Sequence, residues 1–117
     1  MKRNMDLVRL LLMRSEGDDE AEKAAKEFSV EERAYHVQLL IDAGLVEGVV
    51  RRDQNGKFTG AVVSRLTWAG HDFLQSIRDD SLWNKAKKQV LQSGASWTFD
   101  ILKEWAKHEV KQKLGLP

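Results

Sequence analysis

The sequence contains no cysteine, so it can form no disulfide, no cysteine-ligated zinc site and no thiolate nucleophile. The absence of cysteine is typical of a reducing compartment, and we predict a cytoplasmic location. The only proline is the last residue, Pro117, so no proline interrupts a helix or strand. No apolar run approaches the roughly 20 residues of a membrane span. The stretch from Leu7 to Met13 is short, contains Arg9 and precedes no small-residue cleavage site, so we expect no signal peptide and no membrane contact.

A strong net charge is also missing. The 117 residues carry a formal charge of +1, which gives no global electrostatic argument for a nucleic-acid partner. What the chain does contain is typical of a folded domain, because 42% of its residues are apolar and 32% are charged.

Apolar residues recur at helical spacing over most of the chain. The predicted helices run over about Asn4–Arg14, Val30–Ala43, Trp68–Arg78, Leu82–Gln92 and Thr98–Lys113. Residues 20–28 also favour a helix by composition, after Asp18 or Asp19 as the N-cap.

Local signals mark the ends of the second long helix and the start of a hairpin. Ser29 and Glu32 have the spacing of a capping box, and Gly44 can supply a left-handed C-terminal cap. Two Val-rich segments follow within about Val46–Leu66, on either side of an Asn-Gly turn, and they predict an antiparallel hairpin. Thr67 can cap the helix after it.

Two helices that meet at Ser29 form a helix-turn-helix candidate, and a hairpin directly after such a motif is a wing. The predicted fold class is therefore mainly α with a small β-hairpin (α+β), a winged helix-turn-helix with additional C-terminal helices. We predict one domain over residues 1–117, with the winged-helix part at about 1–78 and a C-terminal helical extension at about 79–117. The inward faces of these elements predict a core formed by the following residues: Leu11, Val37, Ile41, Leu45, Leu66, Phe73 and Ile77.

Several spaced runs resemble known sequences. AYHVQLLIDAGLV at residues 34–46 and LTWAGHDFL at 66–74 are similar to winged-helix regulators at the second helix and after the last wing strand. Together with MKRNMDLVR at 1–9 and SIRDDSLWNKAK at 76–87, they resemble an uncharacterised bacterial and phage family, domain of unknown function 2513. The resemblance implies a winged-helix fold and a frequent prophage setting, and it implies no activity. Such families often have a strand where residues 20–28 here favour a helix.

No group of residues in the sequence is typical of a catalytic or metal site. The three histidines, His36, His71 and His108, are at least 35 positions apart, which is not metal-ligand spacing. We predict that His71 is a structural residue packed on the wing. The acidic pairs fall where helices begin, and there they stabilise the helix N-termini. We therefore expect no enzyme activity, no catalytic residue, no metal and no cofactor.

Double-stranded DNA is one expected partner. On the second helix of the turn motif, we predict base contacts from Arg33, His36 and Gln38. On the hairpin, we predict phosphate-backbone contacts from Arg51, Arg52, Lys57 and Arg65. Glu31, Glu32 and Asp42 oppose this hypothesis, because acids repel phosphates.

The alternative is a protein partner bound by the same scaffold without DNA contact, and the sequence does not decide between the two. We also predict a homodimer through the C-terminal helices. Phe99, Leu102, Ala106 and Val110 form one apolar stripe there, and Ile101 and Trp105 form a second.

Overall fold

The computed structural model describes residues 1–91 and 99–115. Within them the helices are α1 Met5–Ser15, α2 Asp19–Ala25, α3 Val30–Asp42, α4 Trp68–Ile77, α5 Asp80–Ala86 and α6 Phe99–Lys113, and a π-helical turn covers Lys87–Leu91. The two strands, β1 Val46–Arg52 and β2 Phe58–Leu66, pair antiparallel. The predicted class, mainly α with a small β-hairpin, is confirmed. The winged helix-turn-helix arrangement itself stays a prediction.

The predicted caps are present. The Glu32 amide donates to Ser29 Oγ at 3.0 Å, and the Ser29 amide donates back to Glu32 Oε1 at 3.4 Å. Asp18 accepts from the Ala21 amide and so begins α2. Gly44 has a φ of +73°, the left-handed conformation that ends α3 without strain on a side chain.

The start of α4 is fixed to the end of α3. Thr67 Oγ1 accepts from the Gly70 amide and donates to the Gly44 carbonyl at 2.6 Å. Gly70 itself must be small, because a Cβ at that position would lie 2.0 Å from the Leu45 carbonyl oxygen.

The hairpin has the predicted bounds. Its turn is held by Asp53, whose Oδ1 accepts from the Asn55 and Lys57 amides. The register pairs Val46 with Leu66 at the base, and each of its two shifts leaves one extra residue on β2, Ser64 and Thr59.

Residues Met1–Leu74 form one compact unit, in which α1 packs on α2, α3 and β2, and α3 packs on both strands. Its largest buried residues include Leu7, Leu11, Leu12, Leu40, Phe73 and Leu74. The predicted core positions Leu11, Val37, Leu45, Leu66 and Phe73 are buried, but Ile41 is only half-buried, so its assignment to the core was wrong. The inward face of α3 passes through Ala34, Val37 and Leu40, and Ile41 lies at its margin.

Residues Gln75–Pro117 form the second compact unit, and the single-domain organisation stays a prediction. Its buried apolar residues include Ile77, Trp83, Ala86, Leu102 and Ala106. The helix predicted over Leu82–Gln92 begins earlier, because Asp79 accepts from the Leu82 amide, and it changes to a π-helical turn after Ala86. Gln92 and Thr98 lie outside the described residues.

On α6 the two predicted apolar stripes are not equivalent. Leu102 and Ala106 are buried, whereas Val110 and Ile101 are 43% and 47% exposed, and the Phe99 side chain lies outside the described part. Trp105 donates from its indole nitrogen to Gln89. The homodimer through these helices stays a prediction. None of the described helices combines the length and apolar composition that a membrane span requires.

Candidate functional site on the hairpin and helix α3

His36 does not lie on the solvent face of α3, so its predicted placement was wrong. The ring is 1% exposed. Its Nε2 accepts from the Asn4 amide at 2.8 Å, and its Nδ1 lies 2.7 Å from the Glu32 carbonyl oxygen, to which it donates. The ring is therefore held neutral between the start of α1 and α3, with both nitrogens occupied by backbone groups. A side chain placed in this way cannot reach a DNA base.

Arg33 lies on the inward side of the same helix. It precedes Val37 by four residues and Leu40 by seven, a spacing that brings all three to one face. The side chain is half-buried, and its Nε is enclosed with no hydrogen-bond partner in the described part of the chain. Arg33 therefore lies on the inward side of α3 and is only partly exposed, and its base contact stays a prediction.

The outward side of α3 carries acidic and amide groups. Gln38 lies there, and its Nε2 donates to Asp42 Oδ1 at 2.9 Å. Glu31 precedes Gln38 by seven residues and Asp42 by eleven, so the three share one face. This face presents two carboxylates and an amide that is already bonded, rather than the predicted group of Arg33, His36 and Gln38.

The predicted cations of the hairpin are all exposed, but they differ in their surroundings. The Arg52 guanidinium lies 4.2 Å from the centre of the Phe58 ring, and that ring meets Tyr35 of α3 edge-on at 5.6 Å. This contact links the hairpin to α3. Arg51 and Lys57 make no side-chain hydrogen bond or ion pair within the described residues.

Arg65 is already paired with a carboxylate. Its Nε donates to Glu47 Oε2 at 2.9 Å and its Nη2 donates to Glu47 Oε1 at 2.7 Å, across the two strands. The hydrogen bond and charge of Arg65 lower the pKa of Glu47, and Glu47 raises the pKa of Arg65. The two charges neutralise each other at the base of the hairpin.

A pair of exposed valines lies on the outer face of the hairpin, the side turned away from α3. Val49 and Val62 are direct cross-strand partners, and they are 67% and 65% exposed. Both line a shallow depression together with Arg51, Thr59, Gly60 and Ala61. The sequence prediction missed this pair. Alternation along β1 could have indicated it, because a buried Val46 places Glu47, Val49 and Arg51 on the opposite face.

The other histidines form no site with these residues. His71 is exposed, which contradicts its predicted packed position, and His108 is exposed beside Gln112. Within residues 1–91 and 99–115, no three acidic or histidine side chains lie close enough together to hold a metal ion.

We expect His36 to make the stability of the fold depend on pH. Burial lowers the pKa of His36 from its ordinary value of 6.5, against the hydrogen bond and charge of Glu32, which raise it. The unfolded chain binds a proton at His36 more readily than the folded chain does. The contribution of His36 to the free energy of unfolding is therefore fully present above about pH 6.5, and it falls as the pH drops below that value. The slope cannot exceed about 1.4 kcal/mol per pH unit.

Urea unfolding at pH 7.5 and pH 5.5 measures this effect, with His36→Gln as the variant and His71→Gln as the exposed control. The wild type and His71→Gln should lose more stability on acidification than His36→Gln. Equal losses in all three proteins would show that the buried ring is not the titrating group.

A family model and a protein relative are similar to this chain over most of its length. A family model described as "Hypothetical protein (DUF2513)" matches residues 2–96. An uncharacterized protein of Haemophilus influenzae is 33% identical over 121 residues, covering 98% of this chain and 100% of the relative. No solved structure matches the chain significantly.

Proposed function

This chain belongs to the DUF2513 family of hypothetical proteins, and we propose that it is a non-enzymatic protein-interaction module. Its contact surface is the outer face of the hairpin around Val49, Val62 and Arg51. The absence of cysteine favours a cytoplasmic setting for this interaction. The prophage setting stays a prediction.

The exposed valine pair carries this proposal. Single apolar side chains on a protein surface need no explanation, whereas contiguous exposed apolar patches mark interaction sites, and these two valines are contiguous. Val49 and Val62 lie directly opposite each other, so a partner that covers one also covers the other. Burial of this pair removes apolar surface from water, which favours association.

The charges around the valines indicate the chemistry of the partner. Arg51 lines the same depression, and Lys57 lies at the turn. The nearby carboxylate of Asp53 is engaged by two turn amides, and Glu47 is neutralised by Arg65. Residues 51–57 carry three cations, Arg51, Arg52 and Lys57, against the one carboxylate of Asp53. The turn end of the hairpin is therefore net positive, and it fits a protein surface that combines an apolar patch with carboxylates.

DNA binding through the wing is the second candidate, and the exposed Arg51 and Lys57 favour it. The structure supports DNA binding less than the contacts predicted from the sequence did. Arg33 and His36 lie on the inward side of α3, Gln38 is bonded to Asp42, and Arg65 is neutralised by Glu47. An exposed valine pair also contributes nothing to phosphate binding.

A photoreactive residue tests the proposal directly. Benzoylphenylalanine at position 62 should form crosslinks to a protein in cells that express the chain. The same residue at position 30, where Val30 is 49% exposed on α3, is the matched control and should not form them. With the identified partner purified, Val49→Glu should weaken binding by about tenfold or more, and Val30→Glu should leave it unchanged.

Two outcomes would contradict the proposal. One is a crosslink from position 62 to nucleic acid. The other is a partner that crosslinks equally from both positions, since the hairpin would then have no special part in binding.

A further inference from the structure

The edge of β1 that faces away from β2 pairs with no other strand in the described part of the chain. Within the described residues the sheet has two strands, so each strand has one edge without a neighbouring strand. The two edges differ, because both extra residues of the register, Thr59 and Ser64, belong to β2. β1 runs from Val46 to Arg52 without an insertion. Bulges disrupt an edge for pairing, so β1 presents the more regular edge.

The backbone groups on this edge make no hydrogen bond to another described element. In the part of the chain that the structure describes, the side chains and backbone of β1 form hydrogen bonds only to β2, including the bond from Ser64 Oγ to the Glu47 carbonyl. Alternate residues of an edge strand direct their N–H and C=O groups away from the paired strand. β1 has no proline to block the approach of another chain, and its charged residues, Glu47, Arg51 and Arg52, leave Gly48 to Val50 uncharged.

We propose that this edge binds an extended segment of the partner protein as a third strand. The proposal rests on the proposed function and specifies how the partner is held. Main-chain hydrogen bonds to β1 supply affinity, and the side chains beside the edge supply specificity. On the outer face these side chains are Glu47, Val49 and Arg51.

Their chemistry defines the segment. A residue that adjoins Val49 across the new strand pair should be apolar and β-branched, because such pairs stabilise a sheet. A residue that adjoins Arg51 should be acidic, since the hairpin provides no carboxylate for that guanidinium. Glu47 requires no cation from the partner, because Arg65 already supplies one.

A synthetic peptide tests strand addition without knowledge of the natural partner. The probe is the capped peptide Glu-Thr-Val-Thr-Val-Thr-Glu, which presents valine and glutamate on one face in either strand direction. Titration of the full-length, ¹⁵N-labelled protein should shift the amides of residues 46–52. It should also slow the hydrogen exchange of alternate amides in that strand.

Two N-methylated peptides distinguish strand addition from packing on the hairpin face. One is methylated at its valines and the other at its threonines, so each loses the amides of one edge. Because only one edge of the peptide meets β1, one version should bind as the parent does, and the other about tenfold more weakly or worse.

Charge provides a second readout. Replacing both glutamates by lysine should weaken binding to the wild type by about tenfold or more. Arg51→Glu should reverse that preference, and Lys23→Glu on α2 should not.

Equal binding of the two methylated peptides, or no binding of the parent peptide, overturns strand addition. Neither outcome removes the protein-interaction proposal, because crosslinking from position 62 tests the valine face independently. A chain that binds the peptide at its β1 edge but forms no protein crosslink from that position would support strand addition and contradict the contact surface.

Discussion

Phe73→Ala should lower the free energy of unfolding by about 3–5 kcal/mol. Phe73 is 1% exposed in the first compact unit, so its truncation removes a large buried ring and leaves a cavity. Thermal or denaturant unfolding of the wild type and of Phe73→Ala measures this loss of stability.

Trp68→Ala is the matched control for this prediction. Trp68 begins the same helix, α4, and its ring is larger, but it is 83% exposed. Its loss should change stability by no more than about 0.5 kcal/mol. A Trp68 variant as unstable as the Phe73 variant would show that the inward face of α4 is misassigned.

Leu40→Ala should cost about 2–5 kcal/mol, and Ile41→Ala should cost less than half as much as the leucine substitution. The two residues are adjacent on α3 and have the same number of carbon atoms, but Leu40 is 0% exposed and Ile41 is half-buried. Truncation of Leu40 therefore leaves the larger cavity. The urea midpoints of the two variants and the wild type measure these losses, provided that the m-values are unchanged.

A greater loss from Ile41→Ala would return that residue to the core position that the sequence predicted for it. The inward stripe through Ala34, Val37 and Leu40 would then be wrong, and so would the inward placement of Arg33.

The sequence predicted the hairpin, the caps and most helix bounds because each depends on residues close together in the chain. Ser29 and Glu32 form the capping box three residues apart, and an Asn-Gly turn lies between the two strands. Such signals determine local backbone geometry whatever the rest of the fold does.

It was harder to predict which face of each helix and strand is buried. On α3, Leu40 and Ile41 are both apolar, and only the packing of α1 and the hairpin selects one of them for burial. A base contact was predicted for Arg33, although its spacing from Val37 and Leu40 places it on the inward side of α3. His36 has one partner four residues away and another, the Asn4 amide, 32 residues away, which no local pattern indicates.

The candidate site was only partly predictable for the same reason. The cations Arg51, Arg52 and Lys57 lie on the exposed hairpin as predicted. The exposure of Val49 and Val62 depends on which face of the hairpin α3 covers. Valine-rich strands favour a sheet in either case, so composition alone could not identify the uncovered face.

Titration of the protein with random double-stranded DNA over a range of salt concentrations tests the central claim most directly, because the same hairpin would have to serve either partner. If the valine face binds protein, duplex retardation should be absent at tens of micromolar protein, near physiological salt. Any association at low salt should then be weak and the same for every sequence. Retardation that persists at physiological salt, and whose salt slope falls by about one for each of Arg51→Ala and Lys57→Ala, would contradict the account and make the hairpin a DNA-binding wing.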